Sequence, residues 1–282
     1  MIGEFIKAKH NRSLVILSGV LLIAFILVFL PTWQALISVW SSSDDYSHGF
    51  LIVPLSLYII WQKRQQLGNA VISPTWPAFP LILFALLLYL VARYAEILTL
   101  APLAMILFLG SGLLFLFGRQ VFKLCLFPLF LLIFMVPVPA QIYAQLTIPL
   151  QLLVSQMTVF LATLLGVPIL REGYVREDRE HTLQVVQACS GLRSIMSLLT
   201  LGAVIGYFGL KSNISRSVLF VFAIPAAVIA NILRVLLMVV AFYFFNYDLT
   251  YGTVHTLFGA GIFGLAVVLF LLLRKGLSLC ER

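Results

Sequence analysis

"QIYAQLTIPLQLLVSQMTVFLATLLGVP", residues 141–168, decides how the rest of the chain folds. It is long enough to cross a bilayer, which takes about 20 mostly apolar residues, yet it carries glutamine at 141, 145, 151 and 156. Glutamines gathered near one side predict an amphipathic helix lying in the membrane interface, with its apolar side in lipid. The alternative, a true span, inverts everything downstream.

The surrounding composition sets the class. Of 282 residues, 62% are hydrophobic and only 10% charged, which is far too apolar for a soluble domain and reads as an all-α polytopic membrane protein. Apolar runs of spanning length fall roughly at 14–30, 49–62, 77–92, 97–117, 121–137, 189–209, 217–245 and 255–273. That is about eight transmembrane helices, in one integral membrane domain over residues 1–282. Pro54 interrupts the second run, and Pro225 and Arg234 the seventh. The start "MIGEFIKAKHNRSLVILSGVLLIAFILVFLP" has the basic and apolar parts of a signal peptide but no small-x-small cleavage site, so it is read as a retained first helix.

Cations choose between the two readings of 141–168, because cytoplasmic loops carry an excess of lysine and arginine. With eight spans the cytoplasmic pieces hold Lys7, Lys9, Arg12, Lys63, Arg64, Arg119, Lys123, Lys211, Arg216, Arg274, Lys275 and Arg282, twelve of the eighteen basic residues. Four lie outside (Arg93, Arg171, Arg176, Arg179) and two within spans (Arg193, Arg234). Both termini are therefore expected in the cytoplasm. The formal net charge of +8 is scattered over short cytoplasmic pieces and gives no reason to invoke nucleic acid.

This topology collects the unusual polar stretches on the outer side: "SSSDDYSHGF" (41–50), "ILREGYVREDREHTLQVVQACSG" (169–191) and "FNYDLTYGTVH" (245–255). In the second, a turn at Gly173 and the alternation of "TLQVV" predict a short extracytoplasmic β-hairpin with "EGYVR". The hairpin delivers Cys189 to the mouth of the sixth span. There Ser190 and Gly191 stand where a helix begins, so the thiol meets unpaired N–H groups and the positive end of a helix dipole, which favour thiolate. The same N–H groups suit an oxyanion. Cys125 and Cys280 read as small apolar residues, and the three cysteines offer no paired framework.

Arg234 in "NILRVLL" needs a reason to sit in a span, since intramembrane arginines face a partner or a cavity. Eighteen residues separate it from Arg216, which at about 1.5 Å each puts it roughly 27 Å up the helix, near the outer boundary. Asn231 shares its face. Arg193 lies one turn after Cys189, where it could serve the site, but near a helix end it reads first as a surface anchor. His255 opens the eighth span with Gly259 on its face, while Gly261 and Gly264 are expected to let neighbouring helices approach. Thiol, guanidinium and imidazole thus reach one boundary on three successive helices, the complement for acyl transfer through a thioester. No HExxH or Cys-His metal spacing occurs, and no cofactor is expected.

"ACSGLRS" (188–194), "NILR" (231–234) and "HTLFG" (255–259) resemble, in order and setting, the three motifs of the exosortase and archaeosortase family, and "DYSHGFLIVPLSLYIIW" (45–61) is similar to its bacterial N-terminal signature. The likeness runs from about residue 40 to 275, with the catalytic motifs in 184–264. It implies a membrane-embedded cysteine transpeptidase of the bacterial inner membrane. Its substrates would be exported proteins that end in a short motif (Pro-Glu-Pro in the commonest branch), an apolar helix and a basic tail, and the family is linked to extracellular polysaccharide. By the resemblance Cys189 is the nucleophile, Arg234 the thiolate or oxyanion partner and His255 the acid and base. Ser190, Gly191, Arg193, Asn231, Tyr46 and His48 are supporting positions. Two other readings remain: a small-solute transporter, which lacks an inverted repeat here, and a lipid or glycan transferase built on His48 and Asp45, which predicts an active Cys189→Ala.

Overall fold

The computed structural model describes residues 19–43, 45–167, 169–170, 174–177, 181–184, 192–247, 249 and 252–281. Its contacts form two compact units, one ending at Pro137 and one beginning at Val138.

The regular elements of the first unit are all helices among its described residues: α1 (Gly19–Val28), α2 (Leu30–Ser42), α3 (Gly49–Gln62), α4 (Arg64–Gly68), α5 (Phe79–Tyr94), α6 (Leu100–Phe117) and α7 (Arg119–Leu132). Short 3₁₀ turns precede α5 and follow α7. α1 and α2 meet at 64°. Pro31, with no N–H to give the preceding turn, starts α2 at the bend. The Val28 carbonyl there accepts from the Tyr89 hydroxyl at 3.2 Å, and the fully buried Phe29 packs edge-on against the Tyr89 ring.

α3 and α7 are joined by side chains that donate to α7 carbonyls. Pro128 lies inside α7 and leaves the Leu124 carbonyl without its helical donor; Lys63 Nζ donates to that carbonyl at 2.7 Å. Ser56 Oγ reaches the Pro128 carbonyl at 3.4 Å. At the far end His48 Nε2 donates to the Phe134 carbonyl (3.1 Å) and Trp40 Nε1 to the Met135 carbonyl (3.0 Å). Gly49 is required beside Trp40, because a Cβ there would collide with the indole.

The second unit holds α8 (Ala140–Leu164), a small sheet, α9 (Leu192–Gly209), α10 (Asn213–Phe245) and α11 (Gly252–Cys280). Strands β1 (Ile169–Leu170), β2 (Tyr174–Glu177) and β3 (His181–Gln184) pair antiparallel in that order, with Glu177 opposite His181. α9 turns tightly into α10, whose first turn is capped by the Ser212 hydroxyl. The end of α11 returns to this turn, where Glu281 accepts from the Lys211 and Ser212 amides at 2.9 and 3.0 Å. One core cluster, which includes Leu198, Leu219, Ala223 and Phe270, fills the space between α9, α10 and α11.

α8 departs from the interfacial expectation. Its buried residues Thr147, Val154, Thr158 and Ala162 recur at three- to four-residue steps or their multiple, giving one continuous inward stripe. Tyr143 and Leu150 pack on the cluster around Ala223 and Ala227, whereas Val154 and Ala162 pack with Val235, Val239 and Phe242. α8 therefore runs lengthwise beside α10, in the same direction, as a member of the bundle. Gln141, Gln145 and Gln156 stay exposed, and the threonine and small-residue stripe, not the glutamines, sets the packing face.

Among the described residues five helices are long and apolar enough to cross a membrane: Trp76–Tyr94, α6, α8, α10 and α11; the bent α1–α2 pair makes a sixth. α3 and Arg193–Gly209 are apolar but shorter. The molecule is a helical membrane protein, and its described residues hold five or six such candidate spans, which does not confirm the eight expected.

A paired arginine and histidine at one end of the second unit

α10 presents Arg234 three turns before its C-terminus, where Asn246 adopts the left-handed conformation (φ 49°) that ends the helix. The chain then turns back through Leu249 into α11. His255, in the first turn of α11, meets Arg234: the Nη2 to Nε2 distance is 2.8 Å. A guanidinium can only donate, so Nε2 is the acceptor and the ring proton sits on Nδ1, which lies 2.9 Å from the Leu249 carbonyl and donates to it. The imidazole is thus clamped from both sides in one tautomer. Its basic lone pair is occupied by the arginine.

Gly259 makes room for this arrangement. It lies one turn after His255, and a Cβ there would stand 3.0 Å from Arg234 Nη2 and 3.1 Å from Cζ. Gly261 and Gly264 have nothing within 4 Å of an added Cβ, so the close helix approach expected of them is not found among the described residues. Arg234 Nε is buried without a hydrogen-bond partner among the described residues, so one guanidinium N–H beside the pair is uncommitted among them. Asn231 is buried one turn earlier on α10, and Arg193 is exposed near the start of α9. Cys189, Ser190 and Gly191 lie outside the described residues.

Tyr46 and His48 belong to the first unit, in the turn before α3. His48 is half-buried and spends its Nε2 proton on the Phe134 carbonyl. Burial holds its imidazole below the ordinary value, opposed by hydrogen bonds to the backbone of Phe134 and Asp45 and by the Asp45 carboxylate. Its place in the α3–α7 joint was not legible in the sequence, because the acceptor is a backbone carbonyl distant in the chain. Lys63 was missed in the same way: it reads as one more cytoplasmic cation until Pro128 is seen beside it. No group of three or more metal-ligating side chains occurs among the described residues.

Fold and site together define a polytopic helical membrane protein with a hydrogen-bonded arginine and histidine at one end of a four-helix bundle. The transmembrane exosortase family (Exosortase_EpsH) matches residues 40–272, and the chain belongs to that family. No curated protein and no solved structure matches it.

Proposed function

We propose that the protein is a cysteine transpeptidase that cleaves exported proteins near a C-terminal sorting signal and transfers them to an acceptor at the cell surface. The observation that carries the reading is the Arg234–His255 hydrogen bond, which joins two of the three motif residues inside the segment matched to the exosortase family. Cys189 supplies the nucleophile from the segment that leads into α9. Lys211, Arg216, Arg274 and Lys275 lie toward the opposite end of α10 and α11, which supports a cytoplasmic location for that end and an outward-facing site in the inner membrane. The placing of the C-terminus, at the end of α11, in the cytoplasm belongs to the same proposal.

The tautomer that the Arg234 and Leu249 contacts require orders the proton transfers. As Arg234 swings from His255 Nε2 to the sulfur, the thiol proton passes to the freed Nε2. The thiolate attacks the scissile carbonyl, and the role of oxyanion donor falls to the guanidinium of Arg234 together with the Ser190 and Gly191 amides that the motif assigns. The C–N bond breaks and the leaving amine takes the proton from the imidazolium. The thioester is then attacked by an acceptor amine, a hydroxyl or water, which gives its proton to Nε2 as the C–S bond breaks. The substrate's apolar helix lies laterally in the bilayer with its basic tail in the cytoplasm, so the scissile bond is held at the outer surface.

The test is a gel shift of a reporter that carries a Pro-Glu-Pro motif, an apolar helix and an Arg-rich tail, co-expressed with each variant at matched membrane abundance. Cys189→Ala should abolish the shift, and His255→Ala should slow it and accumulate a hydroxylamine-labile adduct. Continued processing by Cys189→Ala would overturn the cysteine mechanism.

A further inference from the structure

A cavity of about 270 Å³ opens in the first unit between α2, α5 and α6. Thr32, Leu36, Arg93, Glu96, Ile97 and Pro102 are among its lining residues. Small-molecule sites begin at about 300 Å³, so the space suits a headgroup rather than a whole lipid. α5, with its leading turn, and α6 are both long and apolar enough to cross a membrane. The turn between them therefore lies at the membrane–water boundary, at the level of lipid headgroups.

Glu96 is held there at a cost. α5 ends in a Schellman arrangement, with the Ile97 amide on the Ala92 carbonyl at 2.9 Å and the Glu96 amide toward Arg93 at 3.4 Å. Glu96 occupies the left-handed position (φ 51°), where glycine is the usual residue because it has no Cβ. A glutamate in that place is unfavourable for the backbone, so its value lies in the carboxylate. Both Arg93 and Glu96 are exposed at the mouth of the cavity, and among the described residues neither pairs with the other or with a third side chain, so both charges are open to a ligand from the membrane–water boundary. Within the cavity wall the buried Thr32 hydroxyl also lacks a hydrogen-bond partner among the described residues.

We propose that this cavity seats the headgroup of a zwitterionic phospholipid with a primary amine. Arg93 takes the phosphate, for which its planar fork is suited, and Glu96 accepts hydrogen bonds from the ammonium. The apolar wall of Leu36, Ile97 and Pro102 meets the glycerol and upper acyl chains. A cation and an anion on one turn match a headgroup that carries both charges. An anionic headgroup would satisfy Arg93 but be repelled by Glu96, and a trimethylammonium group cannot donate a hydrogen bond. The assignment is independent of the cysteine chemistry.

Full-length protein in nonionic detergent, titrated with phosphatidylethanolamine, phosphatidylglycerol and phosphatidylcholine and read by native mass spectrometry, tests it. Phosphatidylethanolamine should be retained about tenfold better than the other two, the equivalent of one charge-assisted hydrogen bond. Glu96→Gln should erase that preference, and Arg93→Ala should weaken all three lipids. Glu96→Gly is the sharper variant: by relieving the left-handed position it should raise the melting temperature of lipid-free protein while losing the preference. Equal retention of the three lipids by the wild type, an unchanged preference in Glu96→Gly, or free phosphoethanolamine binding as well as the lipid would each overturn the proposal.

Discussion

Replacing Gly259 by alanine should disable the site without weakening the fold. The new Cβ would stand 3.0 Å from Arg234 Nη2, 3.1 Å from Cζ and 3.5 Å from Nε, whereas such contacts relax to about 3.5 Å or more. The guanidinium must retreat by about half an ångström. Gly259 and His255 lie on one face of α11, so retreat from the first is retreat from the second. The 2.8 Å bond to Nε2 then lengthens past about 3.2 Å, the edge of a good hydrogen bond. The displaced guanidinium is then also misplaced for the sulfur and the oxyanion, and since an ångström of misplacement costs about 100-fold in rate, a shift of about half that sets the expected loss of processing between about tenfold and about a hundredfold. Stability should move the other way, since glycine to alanine inside a helix gains up to about 1 kcal/mol. Gly261→Ala and Gly264→Ala are matched controls, because nothing stands within 4 Å of their added Cβ. The assay is the reporter gel shift, with thermal unfolding of each purified variant in detergent. Processing by Gly259→Ala within about twofold of Gly261→Ala would refute the argument that the missing Cβ positions the arginine.

Two further predictions concern the first unit. Lys63→Met should destabilise it by about 1–3 kcal/mol by orphaning the Leu124 carbonyl, and adding Pro128→Ala, which restores an N–H to that carbonyl, should recover most of the loss in thermal unfolding; a double variant no better than the single one would sink the pairing. His48 has a folded value depressed from 6.5 by burial, so its contribution is present above that pH and is lost as pH falls below it toward the folded value. The melting temperature should therefore drop between about pH 7.5 and about pH 5.5, and His48→Gln should flatten the drop; equal slopes for the two proteins would show that His48 does not carry it.

The pairing of Arg234 with His255 was partly legible in the chain. Arg234 announced itself because a guanidinium in an apolar run is costly, and helical rise alone placed it at the same boundary as His255. What rise could not give was contact: the 2.8 Å bond, the tautomer it imposes and the seat at Gly259 depend on how α10 and α11 cross. Composition and periodicity likewise identified a helical membrane protein and most of its long spans, since crossing a bilayer demands a run of apolar residues wherever the helix ends up. The role of α8 was decided differently. Its glutamines and its packing stripe are both written in residues 141–168, and only the presence of α10 beside it makes the stripe of Thr147, Val154, Thr158 and Ala162 the stronger term. The α3–α7 joint is the clearest case of structure deciding alone. Lys63, Ser56, His48 and Trp40 all donate to backbone carbonyls, and a carbonyl is present at every position of every sequence. Hydrophobic length is a property of a segment and can be read locally; the choice of which carbonyl a side chain meets is a property of two segments brought together, and exists only in the folded protein.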